Sequence, residues 1–97
     1  MKAAFLVETG GGKKVVLELR GRDAWALSEL VMAGASGCTP ITHPGPRWSG
    51  YVYRLKRKHG LSVETVHETH KGPFPGTHAR YVLKTRVLPV DSHEAAT

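Results

Sequence analysis

Only one cysteine, Cys38, stands among the 97 residues. A lone thiol excludes an internal disulfide framework and cannot complete a thiolate-rich zinc cage. No apolar run approaches the ~18 residues that a membrane-crossing helix requires. The opening Met1-Lys2 and the short Ala3–Val7 stretch lack the apolar length and cleavage site of a secretory signal. Internal repeats and low-complexity segments are missing too. Acidic residues are scarce, and none lies between Leu30 and Val63. What is present is a 40% hydrophobic chain, too apolar for a disordered polyelectrolyte. At this length a domain buries roughly two thirds of its unfolded surface, enough for one modest core. These features describe a reduced, cytosolic, single-domain protein with no membrane partner.

The charge is polarised. Fourteen Lys and Arg against eight Asp and Glu give a net +6. The acid-free block holds Arg47, Arg54, Lys56, Arg57 and Lys58, while Glu8, Glu18, Asp23, Glu29, Glu64, Glu68, Asp91 and Glu94 lie outside it. An alternating pattern would suggest a solvated helix face; a one-sign block suggests a polyanionic partner, because phosphate neutralisation releases counterions.

The order of elements follows from local pattern. Ala3–Glu8 and Lys14–Leu19 are β-prone, joined by Gly10-Gly11-Gly12-Lys13, and predict an N-terminal hairpin over residues 2–20. Asp23 can cap a helix running to Ala33, with Leu27, Leu30, Val31 and Gly34 at helical spacing. Thr39-Pro40 predicts a second helix start, limited to one turn by Pro44-Gly45-Pro46. Pro46 then opens a third helix through Lys58, stopped at Gly60. On its wheel Trp48, Tyr51, Val52 and Leu55 face inward, whereas Ser49, Gly50, Tyr53, Arg54 and Arg57 face outward with Lys56 on the flank. Leu61–Glu68 and Ala79–Val90 are β-like, and the Pro- and Gly-bearing segment 69–78 between them predicts an exposed hairpin loop. Residues 91–97 carry no pattern and predict a disordered tail. The domain organisation is thus a hairpin over 1–22, a main unit over 23–90, and that tail.

Enzymatic chemistry finds little support in these residues. Glu-Thr-Gly-Gly-Gly-Lys-Lys lacks the spacing and following helix of a phosphate-cradling loop. His67, Glu68, His70 and His78 cluster near the loop, but His67-x-x-His70 falls on a strand, where residues three apart face opposite ways. They read as solvent-exposed histidines, not metal ligands. Cys38 has no fixed base beside it and reads as a packed thiol. No catalytic residue, metal ligand or cofactor is expected. Six His raise the net charge below pH ~6.5, which strengthens attraction to polyanions.

The stretch Trp48-Ser-Gly-Tyr-Val-Tyr-Arg-Leu-Lys-Arg-Lys-His-Gly-Leu-Ser-Val-Glu-Thr-Val resembles a recognition helix passing directly into a first wing strand. Val52 and Leu55 match the helix-core positions, Gly60 the helix stop, and Val63 and Thr65 the strand. Ala79-Arg80-Tyr81-Val82-Leu83 is similar to a second wing strand. From Ala24 to Val87 the chain therefore resembles the winged helix-turn-helix superfamily. Its Gly-Cys-Thr-Pro-Ile and Pro-Gly-Pro-Arg-Trp segments are similar to those of small winged-helix proteins of alphaproteobacteria and their prophages. The resemblance implies an α+β fold: three helices, a C-terminal β-hairpin wing, and the extra N-terminal hairpin.

It also implies binding of double-stranded DNA and transcription regulation from a cytoplasmic, nucleoid-associated location. The helix over 46–59 would read the major groove through Arg47, Ser49, Tyr53, Arg54 and Arg57, with Gly50 allowing close approach. Lys56 and Lys58 would touch backbone; His70, Lys71, His78 and Arg80 would place positive charge on the 69–78 wing. Neutralising roughly six phosphates gives a log–log salt slope near −5. One such domain buries little surface, which favours a homodimer or a second anchor. The alternative function is a winged-helix protein–protein adaptor, or a phage-type inhibitor of an acidic, DNA-mimicking partner.

Overall fold

In the computed structural model, which describes residues 1–73 and 75–90, the chain opens with strands β1 (Lys2–Glu8) and β2 (Lys14–Arg20). They pair antiparallel in an unbroken register from Lys2↔Arg20 to Glu8↔Lys14. The hairpin is closed by Thr9, whose N–H and hydroxyl both donate to Lys13 O, at 2.7 and 3.1 Å. Alternation puts Phe5, Val7 and Leu19 into the core and leaves Leu6 and Val16 on the outer side.

Helix α1 (Gly21–Ala33) follows at once, burying Ala24, Ala26, Leu27 and Leu30. It starts two residues before Asp23. The carboxylate of Asp23 makes no capping bond, because it is engaged elsewhere, as described below. The helix ends at Gly34, whose N–H donates to Leu30 O, and a 3₁₀ turn carries the chain to Gly37.

Two α-helices form among the described residues, not three. At the expected second helix, the buried Thr39 hydroxyl does accept from the amides of Ile41 and Thr42, and His43 N–H donates to Thr39 O. That single turn goes no further, because Pro44 and Pro46 lack the amides needed to extend it. Pro46 does not open the next helix either. Arg47 adopts a left-handed backbone (φ 61°, ψ 45°), which cannot continue a right-handed helix, so α2 spans Trp48–Arg57.

Strands β3 (Val63–His70) and β4 (Gly76–Leu83) form the C-terminal hairpin, paired Val63↔Leu83 through His70↔Gly76. Pairing thus reaches into the segment expected to be loop, since every position up to His70 and from Gly76 finds a cross-strand partner. The run expected as one strand over 79–90 divides in two. Ser62 holds the break: its carbonyl accepts from Lys84 N–H at 2.8 Å and its N–H donates to Thr85 Oγ1 at 2.7 Å. The chain then turns into β5 (Arg86–Val90), which pairs with β1. The result is a three-stranded sheet in the order β2-β1-β5 and a two-stranded sheet β3-β4.

Cys38 ties the inter-helical segment to the wing: its N–H donates to Tyr81 O at 2.9 Å and Tyr81 N–H returns a bond at 2.8 Å. Gly37 makes this approach feasible, since a Cβ there would lie 2.6 Å from Tyr81 O and its φ is 68°. Both helices and both sheets share one core, in which Phe5, Leu27, Leu30 and Leu55 are essentially sealed from water. Each such side chain contributes about 1.5–3 kcal/mol. The tail expected over 91–97 lies outside the described residues.

Candidate nucleic-acid interface

The inner stripe of α2 is Trp48, Tyr51, Val52 and Leu55, all buried. Trp48 belongs to the core: it stacks on Tyr81 with centroids 6.0 Å apart, tilts against Trp25 at 5.4 Å, and donates its indole N–H to His43 O at 2.7 Å. Fixing this side fixes the other. Arg47, Ser49, Tyr53, Arg54, Lys56, Arg57 and Lys58 are exposed, and Gly50 is half-buried among them. No acid occurs in this helix. The N-terminal turn carries no side-chain cap.

The cations on this side are not equivalent. Arg54 is clamped by Asp23 of α1: its Nε donates to both carboxylate oxygens, at 3.0 and 2.9 Å, and its terminal nitrogen donates to Oδ1 at 2.7 Å. The carboxylate raises the Arg54 pKa further above its ordinary value, and it cancels much of that residue's outward field. Arg57 instead lies over the Tyr53 ring, 5.8 Å from its centroid. Arg47, Lys56, Arg57 and Lys58 form no ion pair with any described residue.

Between α2 and the wing runs an open groove of about 470 Å³, bordered by Ser49, Tyr53, Lys56, Arg57, Thr65 and Tyr81. Thr65 pairs with Tyr81, so the wing face looking onto α2 also carries His67, Thr69, Thr77 and Ala79. The opposite face carries Glu68, His70, His78 and Arg80.

That placement separates the expected wing residues from the α2 side. Glu68 gathers them: Arg80 Nε donates to one carboxylate oxygen at 2.8 Å, and His78 Nε2 lies 3.1 Å from the other. The Nδ1 atoms of His78 and His70 are 2.9 Å apart. Arg80 also donates to Ser36 O, joining the wing to the turn after α1. The Arg80 hydrogen bond, followed by His78, holds the Glu68 carboxyl below the ordinary range. These three are half-buried, while Lys71 in the wing loop is exposed.

Sequence reasoning missed the Asp23–Arg54 clamp, whose partners are 31 positions apart with no local pattern joining them. It also missed His67 as the histidine on the α2 side. Two-residue alternation from the buried Val63 would have found that one. No described set of three or more His, Cys, Asp or Glu could hold a metal ion. Cys38 is buried, and burial, aided by Glu29, pushes its thiol up to about 11. Burial and the neighbouring Lys58 lower His59.

A helix packed by its apolar side against a second helix, followed by a two-strand hairpin tied back to the inter-helical segment, defines a winged helix. The chain belongs to the winged helix domain family, whose profile matches residues 16–93. No curated protein and no solved structure matches it. Winged helix domains are typically DNA-binding modules rather than enzymes. No described helix is long and apolar enough to cross a membrane.

Proposed function

We propose that this protein binds double-stranded DNA and regulates transcription, as a cytoplasmic, nucleoid-associated homodimer that needs no cofactor and performs no catalysis. The observation that carries this is the acid-free outer side of α2, where Arg47, Lys56, Arg57 and Lys58 stand free of described ion pairs beside the groove to the wing. Helix α2 enters the major groove. Ser49, Tyr53 and Arg57 reach base edges, with the Gly50 position passing close to the sugar-phosphate chain. Arg47, Lys56 and Lys58 meet phosphates, and the uncapped first-turn amides add positive potential there. Lys71 brings the wing tip over the backbone or the minor groove. His70, His78 and Arg80 lie on the far wing face and act on DNA only by shaping that tip.

The test is fluorescence anisotropy with random duplex DNA across a salt series. Binding that weakens steeply with salt, and weakens further in Arg57→Ala and Lys71→Ala, supports the proposal. Affinity unchanged in Arg57→Ala overturns the α2 assignment. One observation favours a second reading: Asp23 held in the fork of Arg54 is a carboxylate already recognised on this side. An acidic, DNA-mimicking protein would extend that contact. Competition between such a protein and duplex DNA separates the two.

A further inference from the structure

We propose that the free edge of β2 pairs with the β2 of a second copy of this chain, antiparallel and centred on Val16. The inference concerns the β2-β1-β5 sheet and not the outer side of α2, and it stands whether or not α2 binds DNA.

The hydrogen-bond phase of the hairpin fixes which backbone groups are free. Gly21 N–H donates to Met1 O and Thr9 N–H donates to Lys13 O, so the bonded β1–β2 pairs are the odd-numbered ones. The amides and carbonyls of Lys14, Val16 and Glu18 therefore point away from β1. No described strand takes them up. Only the charges of Lys14, Glu18 and Arg20 guard this edge: it has seven residues, no proline, no bulge, and β-branched Val15 and Val16, which are 48% and 63% exposed. The opposite edge differs. On β5 the same phase turns Val87 and Pro89 outward, and Pro89 has no N–H to offer.

Charge selects the register. An antiparallel partner must set even positions against even positions. Centring on Glu18 opposes like carboxylates, and centring on Leu17 sets Lys14 against Arg20. Centring on Val16 sets Lys14 against Glu18 of the second copy, twice by symmetry, with Val16 against Val16 and Val15 against Leu17. That arrangement covers the exposed valines and joins the two sheets into one. An open space of about 560 Å³ beside Val15 and Leu17, bounded by His59 and Gly60, leaves the core side of this edge accessible. A single strand pairing over Lys14–Glu18 is a small contact, so the pair forms at high concentration and dissociates on dilution.

Sedimentation velocity on the full chain over a dilution series, with cysteine cross-linking, tests this. The expected result is a concentration-dependent shift to twice the monomer mass. Glu18→Lys should weaken it about tenfold, and adding Lys14→Glu should restore it. Under mild oxidation Val16→Cys should form a disulfide-linked pair, since only this residue faces itself, while Val15→Cys and Glu18→Cys should not. The wild type, with Cys38 buried, is the cross-linking control. A chain that stays monomeric at all concentrations overturns the proposal. So does a dimer indifferent to Glu18→Lys, or one cross-linked equally at all three positions.

Discussion

Removing the carboxylate of Asp23 should tighten DNA binding, which is the reverse of what most substitutions near an interface do. Three hydrogen bonds from Arg54 end on that carboxylate, so the wild-type guanidinium is compensated before any phosphate arrives. Asp23→Asn releases one cation onto the outer side of α2 without altering the buried stripe beneath it. One more phosphate contact steepens the log–log salt slope by about 0.9. Between ~50 and ~200 mM salt that slope is worth about 3.5-fold in relative affinity. By the same logic Arg57→Ala should flatten the slope by about 0.9, while removing both charges in Asp23→Asn/Arg54→Ala should leave it nearly unchanged. Anisotropy titrations at four or more salt concentrations resolve these differences, with thermal melts to verify folding. Equal flattening in Asp23→Asn/Arg54→Ala and Arg57→Ala would refute the clamp as an electrostatic mask, as would an unaltered slope in Asp23→Asn.

Gly37→Ala should destabilise the fold by about 2–4 kcal/mol in urea titrations, because its methyl would meet Tyr81 O at 2.6 Å in a left-handed backbone. Cys38 should resist thiol reagents in the native state and react only on unfolding, since burial raises its thiol to about 11 and removes the thiolate. The Glu68 carboxyl is held low by Arg80, so its contribution to stability is present above the unfolded value of about 4.3 and fades as pH falls through the lower folded one. Thermal midpoints of wild type should therefore drop more on acidification than those of Glu68→Gln.

Periodicity made half of this molecule legible. The stripe Trp48, Tyr51, Val52 and Leu55 follows from helical spacing and is buried as expected, and the N-terminal hairpin follows from alternation around three glycines. What local pattern could not reveal was partnership at a distance. Nothing near Val87 says that the last strand leaves the wing to pair with β1, because that choice depends on Ser62 holding Lys84 and Thr85. Nothing near Arg54 says that Asp23 will sit beside it. The expected second helix failed for a different reason: Thr39 supplies a proper cap, but two prolines and the left-handed Arg47 leave nothing to propagate. In the wing, composition marked the histidines as surface groups, whereas strand parity sorts them to opposite sides and into one network around Glu68.

Pro89 has a bearing on how far this chain can aggregate. Strand-to-strand growth needs two receptive margins per molecule, and here one of them is missing a donor where the next backbone would have to dock. Growth of the proposed β2 pairing through this sheet would therefore stop after a single step.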